Sequence, residues 1–260
     1  MKTIQSRDNP FFKSLQKLAS SSRARREART TILDGIHLLQ AYASGGETAQ
    51  ALIVRAASAE ATEIRQLLGT FAAANTYVLK DALFDAVATV ASPTGVMALV
   101  NTPPAPLLPH SIGDAVLLEE IQDPGNLGSI LRSAAAAGVY DIFLSKKSIF
   151  AWSPKVLRAG MGAHFSLRIH EDVDLEALLH NRKGLGLATG AGTGTSISGV
   201  KLTGPVAWIF GNEGAGISAQ LMRSADMRVE IPMPGIANSL NVAAAAAVCL
   251  FEQVRQRTAS

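Results

Sequence analysis

From Ala115 to the end of the chain, short apolar runs alternate with helix-forming segments, and this rhythm restricts the fold more than any other feature. "AVLLEE", "DIFLS", "FSLRIH", "GLGLATG", "VAWIFG" and "MRVEIPM" read as strands. "NLGSILRSAAAAG", "SPKVLRAGMGA", "DLEALLHN" and "SAQLMRSA" read as helices between them, and an alanine-rich helix from Asn238 closes the chain. Strands apolar on both faces must be covered on both faces, so the pattern argues for a mostly parallel sheet with helices on either side. Ligands in such sheets bind in crevices beyond the carboxyl ends of the strands.

The first hundred residues repeat the alternation on a smaller scale. A basic helix precedes strands at "TTILDG", "ALIV", "TYVLK" and "GVMALV". Helices are expected at "GIHLLQAYASGG", at "SAEATEIRQLLGTF" with Ser58 opening it, and at "DALFDAVATV". This is a small α/β sandwich. Between the two parts, "NTPPAPLLPH" holds four prolines in ten residues, which stiffens the backbone and removes donors, as a linker would. The division is therefore a first domain over 1–100, a linker over 101–110 and a second domain over 111–260. Apolar residues make up 48% of the 260, enough to give each part a core.

A net charge of +3 permits a nucleic-acid partner without requiring one. Arg7, Lys13, Lys17, Arg23, Arg25, Arg26 and Arg29 cluster near the N-terminus, as a phosphate-contacting arm or as a solvated helix. The single Cys249 excludes an internal disulfide and a multi-cysteine metal site, and its alanine-rich surroundings make it a small buried hydrophobe. No metal is implied. The N-terminus lacks the apolar stretch of a secretory signal, and no segment reads as a membrane span, so a cytoplasmic protein is expected.

Three glycine-rich or polar stretches sit at strand-to-helix junctions. "IQDPGNLGSILRSAAAAG" places a turn at Asp123–Gly125, with Asn126 as a natural N-cap and Arg132 six residues on. "IFGNEGAGIS" carries Gly211, Gly214 and Gly216, which let backbone approach a ligand closely. It lacks the acidic partner of a dinucleotide site, and no P-loop is present. "IPMPGIANSLNVAAAAA" places Asn238 or Ser239 as the cap of the last helix. Asn241 would then lie one turn inside an apolar helix, where its amide needs a buried partner. A fourth stretch, "ATGAGTGTS", reads as a flexible turn after a strand.

In order and spacing, these motifs resemble the SpoU (TrmH) branch of the SPOUT RNA methyltransferases. The first matches N-L-G-x-I-x-R-x-A at Asn126 to Ala134, the second G-x-E-x-x-G at Gly211 to Gly216, and the third I-P-M-x-G-x-x-x-S-L-N-V at Ile231 to Val242. The third carries Asn238 where the family usually has an acid, and Ala243 where it often has Ser. The first hundred residues resemble the substrate-binding domain of the rRNA members.

The resemblance implies a SPOUT domain with a deep C-terminal trefoil knot, preceded by a small RNA-binding domain. A tail drawn through a loop must be slim, which suits the alanines. It implies S-adenosylmethionine bound near Thr189, Gly190, Gly211, Ile231, Met233 and Leu240. It implies methyl transfer to a ribose 2′-hydroxyl, with Asn126, Arg132, Glu213, Ser239 and Asn241 as the catalytic set. The resemblance gives Arg132 a part in removing the hydroxyl proton; because arginine stays protonated, Arg132 is expected instead to bind the adjacent phosphate and stabilise the nascent oxyanion. Asn126 positions the substrate, and Glu213 orients Arg132 or Asn126. Ser239 and Asn241 hydrogen-bond substrate or neighbouring motif residues. The family's homodimer is expected, with Arg132 serving either subunit's pocket. The RNA is expected to be ribosomal, because the tRNA enzymes of this branch usually lack the extra domain. The alternatives are the same chemistry on tRNA and an RNA-binding module without catalysis. A nicotinamide oxidoreductase fails for want of a ribose-binding acid.

Overall fold

The runs Ala115–Leu118, Ile142–Leu144 and Val206–Phe210 contain no polar side chain and are fully buried, so they occupy the interior of a sheet. The structure, a computed structural model, describes residues 1–90, 92–190, 192 and 194–259. The chain forms β1 (Lys2–Ile4), α1 (Pro10–Ser20), α2 (Ser22–Ala28), β2 (Thr30–Asp34), α3 (Ile36–Ser44), β3 (Ala51–Arg55), α4 (Thr62–Thr70), β4 (Asn75–Leu79), α5 (Asp81–Asp85) and β5 (Val96–Asn101). It continues with β6 (Ala115–Leu118), α6 (Pro124–Ala136), β7 (Asp141–Ser145), α7 (Pro154–Gly160), β8 (Arg168–Val173), α8 (Leu175–Leu179), β9 (Leu185–Thr189) and β10 (Thr195–Ser196). The last elements are β11 (Val206–Phe210), α9 (Ala219–Ser224), β12 (Met227–Glu230) and α10 (Val242–Thr258).

Two compact units result. Met1–Pro104 and Trp152–Phe165 form one, and Ala105–Ala151 with Ser166–Ser260 the other. The first unit holds a five-stranded sheet in the order β1-β4-β3-β5-β2, in which β5 runs antiparallel to its two neighbours. Its core gathers Phe12, Leu15, Ile32, Ile53, Phe84 and Met97. The segment Trp152–Phe165 lies downstream of the proline-rich stretch yet packs with this unit. Thr31 Oγ1 of β2 donates to the Trp152 carbonyl at 2.6 Å, and Gly162 sits where a Cβ would come within 2.7 Å of the Ala41 methyl.

The second unit is a seven-stranded sheet in the order β10-β12-β9-β11-β6-β7-β8, with every pair parallel. The α/β class and mostly parallel sheet expected from the sequence are present. Three local expectations are corrected. The helix at "DALFDAVATV" is only Asp81–Asp85, because Thr89 turns away to hydrogen-bond the buried Asp34 carboxylate through its amide and hydroxyl. Ser58 ends a short 3-10 turn, and α4 starts after Ala61 with no side-chain cap. The basic helix is two helices, broken at Ser21, which caps α2 through Ala24 N–H. Two short edge strands, β1 and β10, escape sequence reading because two or three residues carry no periodicity.

Candidate active site

Because the seven strands are parallel, their carboxyl ends open on one edge of the sheet. Over β9, β11 and β12 that edge holds a cavity of about 450 Å³. Its shape begins at Gly211, directly after β11. A Cβ there would lie 2.2–2.3 Å from the Gly216 carbonyl and the Ile217 nitrogen, so only glycine lets the chain fold back so tightly. Asn212 and Gly216 then exchange backbone hydrogen bonds at 3.0 and 2.9 Å. Asn212 Oδ1 accepts from the Gly214 and Ala215 amides, and its Nδ2 donates to the Glu120 carbonyl at 2.8 Å. The closed loop holds Glu213 at the cavity wall.

The Glu213 carboxylate accepts from the backbone amides of Gln122 (3.2 Å) and Asp123 (3.0 Å) and from Asn126 Nδ2 (3.0 Å). Burial pushes its pKa up, but the Asn126 hydrogen bond and the backbone donors outweigh burial and leave it below the usual carboxylate range. An ionised carboxylate only accepts, which fixes everything downstream. Asn126 must offer its NH₂ to Glu213, so its Oδ1 is left to accept from Asn241 Nδ2 at 2.8 Å. Asn241 Oδ1 then faces the Ala243 and Ala244 amides at the start of α10. One charge thus orients two side-chain amides, and the relay joins three distant stretches of chain.

Two capping expectations are corrected by this network. Asp123, not Asn126, caps α6, accepting from the Asn126 amide at 2.8 Å. Pro124 at the first helical position has no N–H to satisfy, which moves the cap one residue before it. Asn241, not Asn238 or Ser239, caps α10, so it stands at the mouth of the helix rather than one turn inside. The partner its amide needs is Asn126, and Ser239 lines the cavity.

All six residues expected at the cofactor line this cavity: Thr189, Gly190, Gly211, Ile231, Met233 and Leu240. Of the five expected catalytic residues, Asn126, Glu213, Ser239 and Asn241 line it and Arg132 does not. Six residues along a helix rotate a side chain by roughly 120° relative to Asn126. Arg132 is accordingly exposed on α6 and, among the described residues, makes no hydrogen bond or ion pair, so within this chain Glu213 contacts Asn126 and not Arg132. Sequence reading missed Asn212, Ile217, Val229, Val242 and Ala245 as wall residues. Helical spacing could have found Ala245, one turn after Asn241. Ala191 and Thr193 of the "ATGAGTGTS" stretch lie outside the described residues.

The basic N-terminal cluster divides by role. Arg25 is buried and donates to the Leu18 and Ala19 carbonyls, closing the end of α1, and burial lowers its pKa. Arg29 is the left-handed cap of α2 at φ 47°. Arg23 pairs with Glu27 and Lys13 with Asp8. Arg7 and Lys17 remain exposed. Cys249 is fully buried, which pushes its thiol up to about 12. Among the described residues, no helix is long and apolar enough to cross a membrane.

Residues 114–251 match the SpoU rRNA methylase family, and residues 9–98 match an MRM3-like substrate binding domain. The chain belongs to the SpoU rRNA methylase family. Among its SpoU relatives, a 23S rRNA (guanosine(2553)-2′-O)-methyltransferase of Bacillus subtilis is 30% identical, over 96% of this chain and 98% of that protein. The AdoMet-bound crystal structure of an rRNA methyltransferase from Sinorhizobium meliloti superposes with a TM-score of 0.84 at 26% identity, covering 98% of this chain and 97% of that one. The SpoU methyltransferase AviRb from Streptomyces viridochromogenes, in complex with AdoMet, gives a TM-score of 0.82 at 26% identity over 97% of this chain and all of that one.

Proposed function

We propose that this chain transfers the methyl group of S-adenosylmethionine to a ribose 2′-hydroxyl of ribosomal RNA. The observation that carries the reading is the Glu213–Asn126–Asn241 hydrogen-bond relay in a cavity otherwise lined by apolar residues, glycines and the polar side chains of Thr189, Asn212 and Ser239. The residues present fit the cofactor. Val229, Ile231 and Leu240 supply apolar surface for a purine, while the tight turn that Gly211 permits brings loop backbone to the cavity wall. When bound, S-adenosylmethionine supplies a methyl group activated by its sulfonium.

Asn126, held by Glu213 and Asn241, orients the substrate, and Ser239 offers a hydroxyl at the same wall. Arg132 stays protonated, binds the phosphate beside the target ribose and steadies charge developing on the attacking oxygen. The hydroxyl proton passes to phosphate or water. Because Arg132 points away from its own cavity, it acts in the pocket of a second subunit. The exposed Val248 and Phe251 on α10, the helix that packs on α6, support a homodimer there. We also take the C-terminal segment to be knotted as in the family. Hydrogen bonds from Gln256 and Arg257 to Val200, Leu202 and Gly204 hold α10 against one loop and support that threading. The first unit carries RNA binding, and the enzyme works in the cytoplasm.

Calorimetric titration with S-adenosylmethionine and transfer of labelled methyl to unmodified rRNA transcripts test the reading together. Binding with transfer is the expected result, and absence of binding rejects it. Arg132→Lys keeps the charge but loses the planar fork, and is expected to lower kcat at least about tenfold. Nearly full activity would remove Arg132 from its assigned role.

A further inference from the structure

A second cavity, of about 430 Å³, opens on the same sheet edge over β6, β7 and β8. It shares no lining residue with the first. The two are centred two or three strand spacings apart, roughly 10–15 Å. Their common wall is built from the loops after β6 and β11. Asn212, which lines the first cavity, donates to the Glu120 carbonyl, and Glu120 lines the second. Gln122 gives its backbone amide to Glu213 and its side-chain amide to the Lys147 carbonyl.

The floor of the second cavity is apolar, formed by Val173, Leu175 and Leu221. Most of its charges are already engaged. Glu120 pairs with Lys147 at 3.0 Å, Asp174 caps α8, and Glu176 accepts from Gln220 and Ser224. Two groups are not. Glu119 accepts the Ser218 amide on Oε2 at 2.7 Å, but among the described residues its Oε1 accepts nothing. The Lys146 ammonium is exposed and, among the described residues, makes no hydrogen bond or ion pair. Glu120 and Lys147 hold left-handed backbone at φ 51° and 69°, a conformation that side-chain-bearing residues seldom adopt. An apolar floor with one free carboxylate oxygen and one free cation matches a nucleobase carrying an amino group, with its phosphate.

We propose that this second cavity receives a nucleotide of the RNA substrate neighbouring the methylated one, with Glu119 accepting from the exocyclic amino group of its base and Lys146 on its phosphate. The proposal rests on the RNA methyl-transfer reading and adds to it a sequence-selecting site. Glu119→Gln is the decisive variant. Glutamine can still accept the Ser218 amide through its oxygen, but it then presents NH₂, a donor, where Oε1 stood. Removing a negative charge beside a polyanion should by itself tighten binding, so weaker binding reports the lost acceptor rather than the lost charge.

The measurement is methyl transfer to unmodified transcripts of large- and small-subunit rRNA, with calorimetric S-adenosylmethionine binding alongside. Glu119→Gln is expected to raise KM for RNA about tenfold, the scale of one hydrogen bond to a charged group. Its kcat and cofactor affinity should not change. Lys146→Ala should raise KM and flatten the salt dependence. An unchanged or lowered KM in Glu119→Gln overturns the proposal while leaving methyl transfer intact. A wild-type protein that neither binds the cofactor nor methylates RNA overturns both, and the calorimetry tells the two failures apart.

Discussion

Gly211 is the residue on which the cofactor cavity depends most directly. Its missing Cβ is the space in which the loop closes on Gly216, and the atoms it would strike are backbone, which cannot swing aside. Gly211→Ala is therefore expected to weaken S-adenosylmethionine binding by at least about a hundredfold, because relieving a backbone clash must open the loop that holds Glu213. Calorimetry on the variant checks this, with circular dichroism to show that the chain still folds. Retained affinity would mean the loop is not the cofactor's wall. At this scale much of the site was legible, since the motif residues sit at strand-to-helix junctions, where a parallel sheet opens its ligand crevice. The capping roles were not. Asp123 and Asn126, or Ser239 and Asn241, have nearly equal propensity to cap, and only the backbone path decides among them. Arg132 was named by its motif but not placed, since a motif says which residue is present but not which way round the helix it points.

Among the elements, α10 is fastened at both ends. Asn241 caps its start, and near its end Arg257 makes a bidentate pair with Asp114 at 2.7 and 2.8 Å. Gln253 joins Asp114 to the buried Trp208 indole. Burial pushes the Asp114 pKa up, but hydrogen bonds from Arg257, the Val206 amide and Gln253, with the Arg257 charge, hold it below the usual range. A carboxylate depressed on folding contributes stability above its unfolded pKa and loses it as pH falls through the folded value. Wild-type Tm should be flat above about pH 5 and drop below about pH 4. Arg257→Gln should have a lower Tm near pH 7 and a shallower acid limb, the two curves converging near pH 3. Parallel curves would show that the pair does not anchor the helix. The helix itself was plain from its alanines, whereas these anchors were not, because Asp114 and Arg257 are more than a hundred positions apart.

For the whole molecule, the informative segment is Trp152–Phe165. Its sequence reads as an ordinary helix between two strands of the second sheet, and nothing local announces that Trp152, Val156 and Leu157 are buried in the first unit. A fragment comprising residues 105–260 would strand those side chains. It is expected to bind an apolar dye and to melt below the full chain, as followed by thermal denaturation. A fragment that melts like the intact protein without binding dye would show that the segment is an appendage.

The chain passes between the two units three times. During synthesis the N-terminal unit remains incomplete until residue 165 has left the ribosome, by which time β6, α6 and β7 are already outside. The two units are thus made interleaved rather than one after the other. A recombination event that exchanged residues 1–104 alone would deliver an unfinished body, so this front end cannot be traded between enzymes as a detachable cassette.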